Sequence, residues 1–120
     1  MSYYLIIFIL LVLALLASNY YSHRNKKIIE NKKLLEAIDN KNIIIRTLVK
    51  QAAKMSLIAS RDKNPMMAMI HSDYSAGYLM ALQDIATIDE ISKSIGMDYN
   101  KIKNQIIKIQ DANAKKINIR

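Results

Sequence analysis

The chain has 120 residues, a formal net charge of +8, no cysteine, two glycines and one proline. No disulfide framework can form. So few turn residues leave little room for a β-sandwich or a nucleotide-binding α/β domain, and the composition points to an all-α protein.

Residues 3–21 read as a single membrane-spanning helix. From Leu5 to Ala17 every side chain is apolar, with Tyr3 and Tyr4 at one end and Tyr20 and Tyr21 at the other. Hydrocarbon cannot hydrogen-bond a backbone, so a lone crossing segment must be helical. Nineteen residues at about 1.5 Å each span roughly 28 Å, close to the roughly 30 Å hydrocarbon core of a bilayer. Tyrosine pairs suit the two interfaces, where one side of the ring is dry and the other wet. Ala14 and Ser18 form a small-xxx-small pair that could assist self-association.

The flank Arg24, Lys26 and Lys27 follows directly. Basic residues are retained on the cytoplasmic side, so the expected topology is single-pass with a cytoplasmic C-terminal tail. The rival is a cleaved signal peptide, which lacks its basic n-region here and would place Leu15 at −3, where a small residue is wanted. Arg24, Lys26 and Lys27 can contact anionic lipid headgroups. The simpler reading of the same block, a stop-transfer flank on a solvated helix, takes precedence.

Residues 24–61 contain no glycine or proline. Ile28, Leu35, Ile38, Ile45, Val49, Ala52 and Ala59 recur at three- and four-residue steps, with Asn31, Asn42 and Ser56 on the same seam. The spacing predicts a long amphipathic helix reaching roughly 57 Å. Its stripe needs a partner helix, from another copy or from residues 65–117. Asn42 could fix register or mark a weak point.

Asn64 then Pro65 suits an N-cap followed by the first helical position, predicting a helix from Pro65 to Ile85 or Ala86. Met67, Ile70, Tyr74, Tyr78, Ala81 and Ile85 share one face of it, with Gly77 and Ala81 small at i, i+4. These residues are expected to fill a core. As a partner-binding face, Met67, Ile70, Tyr74, Gly77, Tyr78 and Ala81 would take a helix, methionine supplying adaptable packing. Thr87-Ile88-Asp89-Glu90 has capping-box spacing, and the short helix it opens should stop at Gly96. Asp98 then caps a last helix striped by Ile102, Ile106 and Ile109, and Ala112–Arg120 should fray. The expected organisation is an anchor (1–22), a basic juxtamembrane amphipathic or coiled-coil helix (23–63) and a small helical C-terminal bundle or hairpin (64–120).

Charge is uneven along the chain. Residues 22–63 hold eleven Lys/Arg against four Asp/Glu, residues 64–99 one against five, and residues 100–120 six against one. Residues 87–103 resemble a helix-turn-helix, with Ile91, Ile95, Met97 and Ile102 at its apolar positions; Gln105 departs from the pattern. In that reading Tyr99, Asn100, Lys101 and Lys103 would face a DNA groove. An ordinary helical corner explains the pattern better, because the preceding segment is acidic. His71-Ser72-Asp73 offers too few ligands for a zinc site and reads as a helix-surface histidine. No phosphate-binding glycine loop, nucleophile elbow or paired-carboxylate cleft is present in the sequence. The expectation is therefore a non-enzymatic chain without metal or cofactor.

The stretch His-Ser-Asp-Tyr-Ser-Ala-Gly-Tyr-Leu-Met-Ala-Leu-Gln-Asp-Ile-Ala-Thr, residues 71–87, resembles a segment of small, N-terminally anchored proteins of large DNA viruses. With the capped helix after it, the likeness covers about residues 71–98. It implies a virion or assembly protein in a viral or host-derived membrane. The sequence reading is thus a structural tether linking a bilayer to a protein partner: a capsid protein, a scaffold protein or another copy. A membrane-anchored DNA-binding module (residues 87–110) comes second. Third is the inner-membrane part of a phage lysis device, which the basic flank after Tyr21 disfavours.

Overall fold

The computed structural model describes residues 2–118. Among these are four helices and no strand: α1 (Ser2–Arg61), α2 (Pro65–Ile85), α3 (Ile88–Ile95) and α4 (Tyr99–Asn118). The all-α expectation holds. Nothing in Ser2–Arg61 breaks a helix, since the first proline is Pro65 and the first glycine Gly77. The helix therefore runs unbroken across residues 22 and 23, the expected edge of the anchor.

The chain divides into two units, Met1–Asp39 and Asn40–Arg120. In the first, residues 2–39 are helical and every one of them is exposed. In the second, the seam read from the sequence becomes one wall of a core: Ile45, Val49, Ala52, Ser56 and Ala59 of α1 are buried. Of the two covers the sequence left open for this part of the stripe, the chain's own later helices supply it.

α1 ends where Asp62 N–H still reaches Ile58 O at 3.0 Å and Asn64 turns extended (φ −81°, ψ 119°). Proline disfavours the helical region for the residue before it, so Asn64 leaves α1 and starts α2. Its side-chain oxygen accepts from Met66 N (2.9 Å) and Met67 N (3.4 Å), satisfying two of the free N–H groups at the helix start. Thr87 caps α3, accepting from Glu90 N at 3.2 Å. Gly96 closes α3 in the left-handed region (φ 71°), where a side chain would be strained. Asp98 accepts from Asn100 N at 3.0 Å at the start of α4.

The core cluster comprises Ile45, Val49 and Ala52 of α1, Leu79 and Leu82 of α2, Ile91 of α3, and Tyr99 and Ile106 of α4. Burying each large aliphatic side chain contributes roughly 1.5–3 kcal/mol. Toward the α1–α2 corner the walls shrink to Ala52, Ser56 and Ala59 facing Ala68, Ser72 and Ser75. Small side chains let the backbones approach, and of the three buried hydroxyls two find partners, while Ser56 Oγ has none among the described residues. Ser75 Oγ donates to Ala52 O at 2.6 Å. Asn113 Nδ2 donates to Ser72 Oγ at 2.8 Å and reaches Ala59 O at 3.4 Å.

Two expectations change. The core face of α2 is Ala68, Ser72, Ser75, Leu79 and Leu82, not the row from Met67 to Ile85. The expected row was chosen by its large apolar side chains, whereas Ser72 and Ser75 can be buried because Asn113 and the Ala52 carbonyl pair with their hydroxyls. The second change is the C-terminus. α4 stays helical to Asn118 because Asn113 is tied to α1 and α2. Residues 119 and 120 of the expected frayed end lie outside the described residues.

Candidate functional site

The first candidate is the apolar run of α1. Among the described residues, only α1 is long and apolar enough to cross a membrane, and none of its apolar window is buried by the protein. Tyr3, Tyr4, Leu5, Ala17, Tyr20 and Tyr21 are all exposed. The rings of Tyr20 and Tyr21 meet edge to face, with centroids 6.0 Å apart. Arg24, Lys26 and Lys27 are exposed beyond them, with no ion-pair partner among the described residues.

The second candidate is the outer side of α2. Turning Ala68, Ser72, Ser75, Leu79 and Leu82 inward sends Met67, Ile70, Tyr74, Gly77 and Ala81 outward at the 3.6-residue period. Tyr74 keeps 59% of its surface exposed, Met80 68% and Met66 59%. Tyr78 differs from the rest of that set: it is half-buried and packs against the core. α2 is therefore apolar on two opposite sides, one inside and one facing out. Gly77 sits mid-helix on the outer side, and a Cβ there would meet no atom within 4 Å. Its φ is ordinary. Glycine in a helix interior costs about 1 kcal/mol relative to alanine, and neither packing nor backbone conformation within the chain requires it.

Polar contacts hold this unit at its rim. His71 Nδ1 lies 2.5 Å from Asp62 Oδ2, tying α2 to the corner that starts it. The histidine is thus a corner tie and not a free surface group. Its partner is Asp62, not the adjacent Asp73, which accepts from Gln110 Nε2 at 3.1 Å. Lys41 Nζ meets Glu90 Oε2 at 2.6 Å across 49 residues of sequence. That hydrogen bond and charge hold the exposed Glu90 carboxyl below its ordinary 4.5. Among the described residues, no three His, Cys, Asp or Glu side chains converge on a point where a cation could sit.

The third candidate is the α3–α4 corner. Asn100 and Lys101 are exposed and Lys103 is half-buried. Tyr99, expected at a DNA groove, is fully buried instead, and burial pushes its hydroxyl pKa above the usual 10.0. The reason is local: Gly96 reverses the chain, and Tyr99 N–H donates to Ser92 Oγ at 3.0 Å, turning the ring into the core. Met97, expected to be apolar and inside, is exposed. The Asp98 carboxylate occupies the N-terminal end of α4, where a phosphate would otherwise be drawn by the helix dipole.

Three features gave little signal in the sequence: buried Tyr99, the Asn113 tie and the Asp62–His71 contact. Only Gly96, the turn just before Tyr99, hinted at any of them. No protein-family model matches the chain, and no curated protein or solved structure is similar to it.

Proposed function

We propose that the chain is a non-enzymatic, single-pass membrane tether. Residues 3–21 fix it in a bilayer with the C-terminal tail cytoplasmic, and residues 40–118 form a helical unit that docks a protein partner. Lipid is the first partner, met by the apolar run and by Arg24, Lys26 and Lys27 at the headgroups. The protein partner is a capsid protein, a scaffold protein or another copy, received helix against helix on the outer side of α2. The likeness of residues 71–87 to anchored proteins of large DNA viruses suggests a virion or assembly membrane as the setting.

The observation that carries the reading is the uncovered apolar run. An apolar helical surface from Leu5 to Ala17 with no protein against it is stable only in lipid or against another apolar surface. The test is protease treatment of sealed vesicles carrying the full chain. The expected result is digestion from the cytoplasmic face, leaving a protected fragment that holds residues 3–21. Full digestion without detergent, or full protection of the tail, refutes the topology.

DNA binding through Asn100, Lys101 and Lys103 is the second reading. It is weakened by the burial of Tyr99 and by the carboxylate of Asp98 at the start of α4.

A further inference from the structure

α1 carries one row of residues that runs on past its cover. Ile45, Val49, Ala52, Ser56 and Ala59 are buried within the protein. Continued toward the N-terminus at the same three- and four-residue steps, the row passes Asn42 and then Ile38, Leu35, Asn31 and Ile28, the last four all exposed. Ile28, Leu35 and Ile38 keep 48–62% of their surface open. Of the other apolar residues nearby, Leu34 borders the row and Ile29 stands off it. Further on, the row passes Arg24 and Tyr21 and enters the apolar run at Ala17 and Ala14. On a straight helix such a row drifts about 20° per heptad, which a left-handed supercoil takes up.

The two halves of this row call for a helix for different reasons. Ala14, Ala17 and Ser18 are the only Ala, Gly or Ser residues between Tyr3 and Tyr21; two lie on the row and Ser18 lies beside it. In lipid, helices meet where small residues let backbones approach. In water, Ile28, Leu35 and Ile38 gain by leaving solvent. Because α1 is unbroken, one partner satisfies both only if it spans the bilayer and continues as an amphipathic helix. This chain has that chemistry itself. A single-pass anchor sets every copy in the same direction and at the same depth, so residues meet their own counterparts. Asn31 then faces Asn31, and their amides can pair across the seam.

We infer that α1 pairs in parallel with α1 of a second copy along the row from Ala14 to Ile38. The inference rests on the single-pass reading of residues 3–21, and it leaves the outer side of α2 free for its own partner. The basic flank limits the pairing. Arg24 falls on the row, where its long stem lets the guanidinium turn out to the headgroups. Lys27 of one copy comes toward Lys32 of the other, although Glu30 and Glu36 lie within a turn of them. The pairing is therefore weak in dilute detergent and populated where copies share a membrane.

The chain has no cysteine, so introduced thiols report without background. Full-length forms carrying Ala17→Cys, Leu35→Cys or Ile38→Cys on the row, and Val12→Cys, Lys33→Cys or Asn40→Cys off it, are oxidised mildly in membranes. All six positions are exposed in the single chain, so none of these changes disturbs its core. A disulfide needs Cα atoms about 4.4–6.8 Å apart, and the three row positions should give dimer roughly tenfold or more above the three controls. Adding Ile38→Glu to the Leu35→Cys form sets two carboxylates face to face and should remove its excess. Equal yields at all positions overturn the inference, as does an excess at the controls, an excess confined to one end of the row, or one indifferent to Ile38→Glu. Adducts of Leu35→Cys with a different protein, without the dimer, overturn it too. Carbonate sedimentation of the unsubstituted chain scores the anchor separately: a pelleted chain without the excess refutes the pairing alone.

Discussion

Tyr99→Phe should make the protein more stable, opposite to the usual cost of deleting a polar group. Tyr99 is fully buried in the core cluster, and its hydroxyl has no hydrogen-bond partner among the described residues. An unsatisfied buried polar group costs about 1–3 kcal/mol. Removing the oxygen relieves that cost and leaves a void of one atom. At about 24 cal/mol per Å³ and a void of roughly 15 Å³, the cavity returns only about 0.4 kcal/mol. The net expectation is a gain of about 1 kcal/mol, or roughly 4–8 °C in the melting temperature of a domain this size.

Thermal and urea unfolding of the full chain in detergent, followed by circular dichroism at pH 7, measures the gain. A second arm uses alkaline pH. Burial raises the folded-state pKa of Tyr99 above 10.0, so above pH 10.0 the unfolded chain loses this proton while the folded chain keeps it. The stability tied to this proton is intact below pH 10.0. It is lost as pH rises from there through the folded-state pKa. Tyr99→Phe removes this loss, so the difference between the two chains should widen above pH 10. A destabilisation of about 1 kcal/mol at pH 7 would mean that the hydroxyl is hydrogen-bonded, and no widening above pH 10.0 would mean that its pKa is not raised by burial; either refutes the reasoning.

Three other outcomes follow from the same contacts. Ser72→Ala strips Asn113 Nδ2 of its 2.8 Å partner and leaves only Ala59 O at 3.4 Å; urea unfolding should show a loss of about 1–3 kcal/mol. Gly77→Ala, placed in open space on a helix, should raise the stability of the chain in dilute detergent by about 1 kcal/mol; a loss would mean that the glycine is packed within the single chain. The depressed pKa of Glu90 contributes stability above its ordinary 4.5 that is lost as pH falls through the lower folded value. Lys41→Gln should flatten this acid-side slope at low salt and change little at high salt, as acid titrations of unfolding will show.

Much of the fold was legible because local rules decided it. Asn64–Pro65, Thr87 with Glu90, and Gly96 are each read by the backbone within a few residues, and the helices begin and end as those signals specify. The seam from Ile45 to Ala59 was legible because helical period alone sets which side chains share a face. α2 was different. It is apolar on both sides, so periodicity finds two faces and cannot say which is covered. The larger side chains drew the reading toward Met67 and Tyr74, whereas the core took Ser72 and Ser75, whose hydroxyls pair with Asn113 and Ala52 O. Contacts between residues distant in sequence, such as Lys41 with Glu90 and Asn113 with Ser72, depend on how helices pack, and no spacing rule encodes them.

A membrane tether requires residues 3–21 to reside in lipid. Membranes bearing the full chain should be washed with alkaline carbonate, and the chain weighed by intact mass. The chain should stay with the bilayer pellet, and its mass should still include Tyr3 through Tyr21. Release into the supernatant, or a mass lacking that segment, contradicts a lipid-embedded anchor.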